Sequence, residues 1–145
     1  KMKISKIREV KTPTRGTNQS AGIDFFVPFG FHENLEPGKS CLIPSGIKAN
    51  VPENHALIAF NKSGVAVKKN LHVGACVVDE DYQGEIHINL TNVGDETTSI
   101  ESGEKIIQFV LVPVSYEEVE VVNEEDLFES VTERGSGGFG STGTR

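Results

Sequence analysis

The sequence predicts an all-β fold, a jelly-roll-like β-sandwich or barrel built as one domain. Fifteen glycines and six prolines divide the chain of 145 residues into short segments. Those segments are of strand length and rich in Val, Ile and Thr, and no helical pattern of ten or more residues separates them. Alternating βαβ units therefore have no room, whereas antiparallel strands joined by tight turns do. The length suits one compact domain and is too short for two ordinary ones.

The predicted strands follow one another at short intervals. They cover residues 2–10, 23–27, 40–43, 46–51, 55–60, 71–78, 85–91, 105–114 and 117–122. The turn at residues 36–38, Glu-Pro-Gly, separates two of them, and residues 63–69 have room for one or two helical turns.

Hydrophobic periodicity predicts how these strands are buried. In residues 85–91, Ile86, Ile88 and Leu90 alternate with polar side chains, which indicates a half-buried antiparallel strand. Residues 117–122 alternate in the same way. Residues 71–78 are apolar enough to be buried on both faces.

Charge and cysteine content exclude several classes of protein. The net charge of −7 argues against a general nucleic-acid surface, because such binding needs lysine and arginine to displace condensed counterions. A small polyanion stays possible if a metal ion and a few cations neutralise it. Cys41 and Cys76 form no CxxC pair, so we expect two reduced core thiols.

The expected location is cytoplasmic or nuclear. No apolar run approaches the ~20 residues that span a bilayer, and residues 1–10 contain no signal-peptide core. We therefore expect a soluble intracellular protein with no membrane partner.

Two phosphate-binding motifs are matched only in part. Residues 135–140 satisfy G-x-G-x-x-G, but a dinucleotide fold needs a helix after that motif and only five residues follow. Gly38-Lys39-Ser40 resembles the end of a Walker loop, but Glu33 stands where its first glycine belongs. Neither fold is predicted.

The glycine-rich tail, residues 134–145, has two interpretations. It is either a flexible terminus that cannot form a core, or a phosphate clamp. In a clamp, glycine amides, the Ser141 and Thr142 hydroxyls and the Arg134 guanidinium surround a polyphosphate. The Phe139 ring could then stack on a base.

Two further segments have the residue types of a phosphate-hydrolysing site. Residues 77–85, VVDEDYQGE, hold four acidic groups; they form either a solvated turn or a site where Asp79 or Asp81 deprotonates a water. Residues 61–64, NKSG, are followed by two more lysines. They form either an ordinary helix start with Ser63 as N-cap or a phosphate-binding site.

In this order the segments resemble the five motifs of the trimeric dUTPase family. The matching residues are 21–24 (AGID), 62–64 (KSG), 74–85, 103–108 (GEKIIQ) and 134–143. The resemblance implies hydrolysis of dUTP to dUMP and pyrophosphate, with Mg²⁺ as cofactor. It also implies a homotrimer, in which the domain of residues 1–133 is completed by the tail, residues 134–145, of a neighbouring subunit.

The resemblance also implies a role for each matching residue. Asp79 and Arg134 would be catalytic, Asp79 by activating the attacking water. Tyr82 would lie under the deoxyribose, and Asp24 would reach the metal through its bound water. The other implied substrate-binding residues are Lys62, Ser63, Gly64 and Gln108 for the phosphates, the main chain of Gly74, Cys76, Val77 and Val78 for uracil, and Phe139, Gly140, Ser141 and Thr142 in the tail.

The chain departs from the family pattern at three positions. Lys62 and Lys105 stand where arginine is usual, and lysine supplies charge without a bidentate fork. Cys76 stands where glycine is frequent. Three other functions fit the same scaffold: a deoxycytidine triphosphate deaminase, a non-enzymatic nucleotide-sensing or regulatory protein, and a structural jelly-roll protein.

Overall fold

A computed structural model describes residues 1–75, 77–140 and 143 of the protein. The predictions for Cys76, Ser141 and Thr142 lie outside the described residues. The chain divides into two compact units, Lys1–Ser115 and Tyr116–Arg145. In the described part, no helix is long and apolar enough to cross a membrane.

The first unit contains the β structure. Its described elements are β1 (Ile4–Lys6), β2 (Gly22–Phe26), β3 (His32–Leu35), β4 (Ser40–Pro44), β5 (Ile47–Ala49), β6 (His55–Phe60), α1 (Ser63–Lys69), β7 (Leu71–Val73), β8 (Val77–Val78), β9 (His87–Asn92), β10 (Thr98–Glu101) and β11 (Lys105–Pro113). The second unit contains one described 3₁₀ turn, Glu124–Asp126.

The described strands form four antiparallel sheets. The larger two have the strand orders β2-β11-β6-β8 and β4-β9-β7, and the smaller two pair β1 with β5 and β3 with β10. Both larger sheets bury side chains in one hydrophobic cluster, to which Ile88 and Leu90 contribute from β9. Phe25 and Phe109 pack there with ring centroids 4.6 Å apart. Each such side chain contributes roughly 1.5–3 kcal/mol through burial.

The local sequence explains the turn between β3 and β4. Pro37 fixes φ at the second position of the turn, Gly38 supplies a positive φ of 78° at the third, and the Lys39 amide donates to the Glu36 carbonyl at 3.0 Å. A positive φ at this position favours glycine, as in a type II turn. The predicted turn is confirmed.

The mostly-β prediction is confirmed, and several elements match closely. β6 has the predicted bounds, α1 occupies the predicted residues 63–69, and Ile86, Ile88 and Leu90 are buried as the alternation predicted. α1 ends at Lys69, and Asn70 follows as the C-terminal cap with a left-handed φ of 54°. The finer jelly-roll description stays a prediction.

The predicted strand over residues 117–122 is wrong. These residues form no strand in the described chain, and the side chains of Val119 and Val121 are 94% and 93% exposed. A strand requires a neighbouring backbone to complete its hydrogen bonds, and alternation alone does not provide one.

Two other predictions about strands are corrected, and two strands were missed. Residues 71–78 are not one strand buried on both faces but two short strands, β7 and β8, in different sheets, of which Leu71 and Val78 are buried and His72 and Val77 exposed. The first strand is shorter than predicted. Two strands, β3 and β10, were not predicted because their sequences, HENL and TSIE, are mostly polar. They pair only with each other.

Candidate active site

Asp24 lies at the centre of a group of cationic and amide side chains, which we call the Asp24 cluster: Asp24, Lys62, Lys105 and Gln108. The Asp24 side chain is buried, and its Oδ1 accepts a hydrogen bond from the Lys62 Nζ at 2.6 Å. The Lys105 Nζ lies 3.6 Å from Oδ2. Two ammonium groups around one carboxylate give the cluster a net charge of +1, which suits the binding of an anion such as a phosphate.

A β-bulge brings the members of this cluster to one face. The register between β11 and β2 shifts between Lys105 and Ile107. Lys105 lies opposite Phe26, and Gln108 lies opposite Asp24. Without the extra residue, Lys105 and Gln108 would point to opposite faces, because side chains alternate along a strand. With it, both share the face of Asp24.

Gly22 makes room for Gln108. A Cβ at Gly22 would lie 2.0 Å from the Gln108 Oε1, a separation that any larger residue would have to relieve by moving the side chain. The Gln108 Nε2 in turn donates to the Asn61 carbonyl at 2.9 Å. Gln108 therefore contacts Gly22 of the first predicted motif and Asn61, the residue that precedes Lys62.

Of the two interpretations of residues 61–64, the one with Ser63 as N-cap is not met by the structure. Lys62 is the N-cap, with an extended backbone and no side-chain cap hydrogen bond, and Ser63 is the first helical residue. Lys62 instead directs its side chain to Asp24. Ser63 and Gly64 are exposed, and open space surrounds the position of a Cβ on Gly64.

A second group of predicted residues lines a cleft of about 190 Å³, which we call the Asp79 cleft. Val77, Val78, Asp79 and Tyr82 all line it. Asp79 is exposed, and within residues 1–75, 77–140 and 143 its carboxylate makes no hydrogen bond or ion pair. An exposed carboxylate with no described partner, placed at a cleft, is arranged as a general base would be.

The turn that carries Asp79 is held by Glu85. The Tyr82 amide donates to the Asp79 carbonyl at 3.1 Å, and the Tyr82 hydroxyl donates to the Glu85 carbonyl at 2.6 Å. The Glu85 carboxylate accepts from the Arg8 Nε at 2.7 Å, from the Arg8 Nη2 at 3.1 Å and from the Gly46 amide at 2.9 Å. The hydrogen bond from Arg8 is the main reason that the pKa of Glu85 lies below its ordinary value, and the Gly46 amide adds to this while burial opposes it.

Two asparagines fix the segment that leads into the Asp79 cleft. The Asn61 Oδ1 accepts from the Val73 amide at 2.8 Å, and the Asn89 Oδ1 accepts from the Ala75 amide at 2.8 Å. Between them, the Gly74 amide donates to the Asn89 carbonyl at 3.0 Å. Three consecutive amides are thereby bound inside the chain.

Asp79 and Lys62 lie toward opposite ends of β6. β8 runs antiparallel to β6 with Val78 opposite Leu57, so Asp79 follows in the direction away from Lys62, which comes after the far end of β6. At about 3.3 Å per residue, Asp79 and Lys62 of one chain are roughly 15–20 Å apart along the strand. Asp79 and Lys62 of one chain therefore do not meet at one place.

The predicted tail residues belong to the second unit. The Arg134 Nε donates to the Gly137 carbonyl at 2.7 Å, and the Phe139 side chain is fully exposed. The backbone of Phe139 has a positive φ of 52°, and that of Gly140 one of 94°. The tail roles stay predictions.

The described side chains do not fit a metal ion held directly by the protein. Among residues 1–75, 77–140 and 143, no group of three or more His, Cys, Asp or Glu side chains could hold one. Both Asp24 oxygens already face ammonium groups. An ion that enters as a complex with a polyphosphate needs no such group, so the water-mediated role predicted for Asp24 stays a prediction.

Sequence reasoning missed several residues of the Asp79 cleft. Leu42, Ile86, His87 and Phe109 also line it, together with Ala75, which lies inside the segment predicted to read uracil. They come from three different strands or from the connections before β8 and β9, so only the paired sheets bring them together. A larger cleft of about 600 Å³ lies elsewhere, between residues such as Pro13, Phe25 and Leu111, and includes none of the predicted site residues.

The ion pair beneath the Asp79 turn predicts a pH dependence of stability. Because the folded protein lowers the pKa of Glu85 from 4.5, Glu85 stabilises the fold fully above that pH, and the contribution is lost as pH falls through the lower folded value. We expect Glu85→Gln to lower the urea midpoint of unfolding at neutral pH, and the difference from wild type to shrink below about pH 4.5.

Glu101→Gln is the matched control, since Glu101 forms an exposed pair with His32 at 2.7 Å. Exposed pairs contribute little, so its effect should be small at neutral pH. A Glu85→Gln difference that grows as pH falls would contradict the assignment.

Comparison with known proteins identifies the family. The family model described as dUTPase matches residues 8–143. Deoxyuridine 5'-triphosphate nucleotidohydrolase of Chlamydia pneumoniae is 43% identical over 133 residues, which cover 90% of this chain and 90% of the relative. The enzyme of the same name from Mus musculus is 38% identical over 131 residues, which cover 90% of this chain and 77% of the relative.

Solved structures show the same relationship. A mutant of the dUTPase from Staphylococcus bacteriophage 80alpha, solved with dUpNHpp, superimposes with a TM-score of 0.89. It is 27% identical in sequence, and the match covers 99% of this chain and 98% of that one. The resemblance drawn from the five motifs is confirmed, and this chain belongs to the dUTPase family.

Proposed function

We propose that this protein hydrolyses dUTP to dUMP and pyrophosphate through a water molecule held by Asp79. The oxygen of that water attacks the α-phosphorus and its proton passes to the Asp79 carboxylate. The bond from the α-phosphorus to the oxygen that bridges to the β-phosphorus breaks, and pyrophosphate leaves. The observation that carries the proposal is the Asp79 carboxylate, unengaged within the described chain and placed at a cleft beside Tyr82. Phosphoryl transfer needs positioning and charge stabilisation more than covalent help.

The Asp79 cleft is the proposed site of the nucleoside. In this proposal the main chain between Gly74 and Val78 reads uracil, and the Tyr82 ring lies under the deoxyribose, where it excludes a 2'-hydroxyl. The Tyr82 ring is suited to this because its hydroxyl is held by Glu85 at 2.6 Å. A fixed wall discriminates between ligands that a mobile wall would accept.

The Asp24 cluster is the proposed phosphate site. Lys62 and Lys105 supply charge, and Gln108, Ser63 and Gly64 lie next to them in the fold. The proposed contribution of the tail is Arg134 with the Ser141 and Thr142 hydroxyls on the terminal phosphates, and Phe139 with Gly140 over the base. Such cationic and hydroxyl groups stabilise charge on departing pyrophosphate.

We propose that the active enzyme is a homotrimer with shared sites. The separation of roughly 15–20 Å between Asp79 and Lys62 in one chain supports this, because one triphosphate must contact both groups. If a neighbouring chain presents its Asp24 cluster to the Asp79 cleft, one triphosphate can contact both groups. The tail of a third chain, residues 134–145, would then close over the domain of residues 1–133.

The proposed substrate is the Mg²⁺ complex of dUTP. In this proposal the ion enters with the substrate, because the described side chains do not fit a resident metal. When bound, Mg²⁺ masks phosphate charge that two lysines alone would leave uncompensated.

Replacing the proposed base tests the mechanism. Asp79→Asn keeps the size of the side chain but cannot take a proton, so we expect kcat to fall at least ~100-fold. The measurement is release of pyrophosphate from dUTP with Mg²⁺ present. The matched control is Asp81→Asn, in the same exposed turn, which should stay close to wild type. Near-normal turnover by Asp79→Asn would refute the role of Asp79.

Removing the tail tests closure of the site. Deletion of residues 134–145 should leave a folded protein that has lost most activity, because the tail adds binding and exclusion of water without contributing to the core. Circular dichroism checks the fold, and dUTP turnover checks the activity. Phe139→Ala should lose only part of the activity, since it removes one stacking ring. A truncated protein with normal turnover would rule out the proposed role.

A further inference from the structure

We propose that Asn89 is a positioning residue that sets pyrimidine selectivity by holding the backbone of Gly74 and Ala75. This inference rests on the proposed function, in which the main chain of this segment reads uracil. Asn89 does not line the Asp79 cleft itself. It acts through Ala75, which does.

The Asn89 side chain connects the segment to the sheet behind it. Its Oδ1 accepts from the Ala75 amide at 2.8 Å, and its Nδ2 donates to the Cys41 carbonyl at 3.1 Å. Its own carbonyl accepts from the Gly74 amide at 3.0 Å. One residue of β9 therefore makes three hydrogen bonds that fix the position of the cleft wall relative to β4.

The close approach between Asn89 and Gly74 restricts both the residue type at position 74 and the path of the backbone there. A Cβ on Gly74 would lie 2.1 Å from the Asn89 Oδ1, so the backbone passes against the amide group where only glycine fits. Because β9 pairs on both sides, with β4 and with β7, Asn89 is held in the middle strand of its sheet. The segment is thus fixed to the most constrained strand of that sheet.

The position of Asn89 within β9 also places it next to the cleft. Leu42 lies directly opposite Asn89 in β4, and His87 lies two residues earlier on the same face of β9. Both side chains line the Asp79 cleft. A shift of Asn89 or of the backbone that it holds would therefore move the cleft wall at Ala75.

Selectivity for dUTP over dTTP depends on how firmly the backbone of Ala75 is held. Uracil and thymine differ by one methyl group, and an apolar pocket separates ligands that differ by one carbon only weakly. Rejection of the methyl requires a wall that does not yield, and close-packed, hydrogen-bonded backbone provides one. Loosening Ala75 should therefore weaken binding of dUTP and admit dTTP.

The test compares three variants of the full chain. Asn89→Ala removes both side-chain hydrogen bonds. Asn89→Asp keeps an acceptor for the Ala75 amide and loses the donor to Cys41, so it separates positioning from stability. Thr91→Ala is the matched control, since it breaks the 2.8 Å bond between Ser40 and Thr91 on the same strands and leaves residues 74 and 75 untouched. For each variant, kcat, KM and the unfolding midpoint are measured with dUTP and dTTP.

For Asn89→Ala we expect KM for dUTP to rise roughly tenfold, a factor equal to about 1.4 kcal/mol, and the preference for dUTP over dTTP to fall by a similar factor. Its kcat should change little, because Glu85 holds the Asp79 turn separately. Asn89→Asp should keep most of the selectivity while it loses stability, and Thr91→Ala should keep selectivity.

Two results would overturn the inference while wild type cleaves dUTP. The first is unchanged selectivity in Asn89→Ala. The second is a loss of selectivity in all three variants that follows their unfolding midpoints, which would show a general structural effect. Wild-type protein that leaves dUTP intact would instead overturn the proposed function and this inference together.

Discussion

The antiparallel pairing of β6 with β8 is the constraint on which the rest of the site depends. Because β8 runs opposite to β6, the chain carries Asp79 away from the end of β6 at which Lys62 meets Asp24. β11 pairs with the other side of β6 and places Gln108 opposite Phe60, at the Lys62 end. The sheet thus separates Asp79, the proposed general base, from Lys62 in the proposed phosphate site of the same chain. The separation of roughly 15–20 Å makes assembly with other chains a requirement of the proposed chemistry.

Each half of the site is made rigid by contacts that lie behind it. The bulge in β11 and the absence of a side chain at Gly22 position Gln108 on the side of the Asp24 cluster. Glu85 positions the turn of the Asp79 cleft. Asn61 connects the two halves within one chain, since its carbonyl accepts from Gln108 and its side chain accepts from Val73. Rigid support of this kind is what precise placement of reacting groups requires.

Sequence patterns predicted those parts of the molecule that depend on local chemistry. The burial of Ile88 and the turn at Pro37-Gly38 were predicted correctly. Both features are determined by residues that are close together in the sequence. The strand predicted for residues 117–122 was wrong because alternation does not show whether a partner strand exists. The supporting roles of Arg8 and Asn89 could not be predicted, because their partners lie far away in the sequence and meet them only through sheet register. The predicted catalytic and tail roles stay predictions, because in the proposed enzyme they depend on more than one chain.

Complementation between two variants, each of which lacks one half of the proposed site, tests the central claim most directly. Asp79→Asn chains and Lys62→Ala chains are each assayed alone and then after being refolded together in equal amounts. If Asp79 and Lys62 of one site come from different chains, every mixed trimer holds one intact site of its three, and random mixing restores roughly a quarter of wild-type dUTP turnover. If both residues of a site come from one chain, no mixed trimer holds an intact site. Activity of the mixture no greater than the sum of the separate variants would contradict the account.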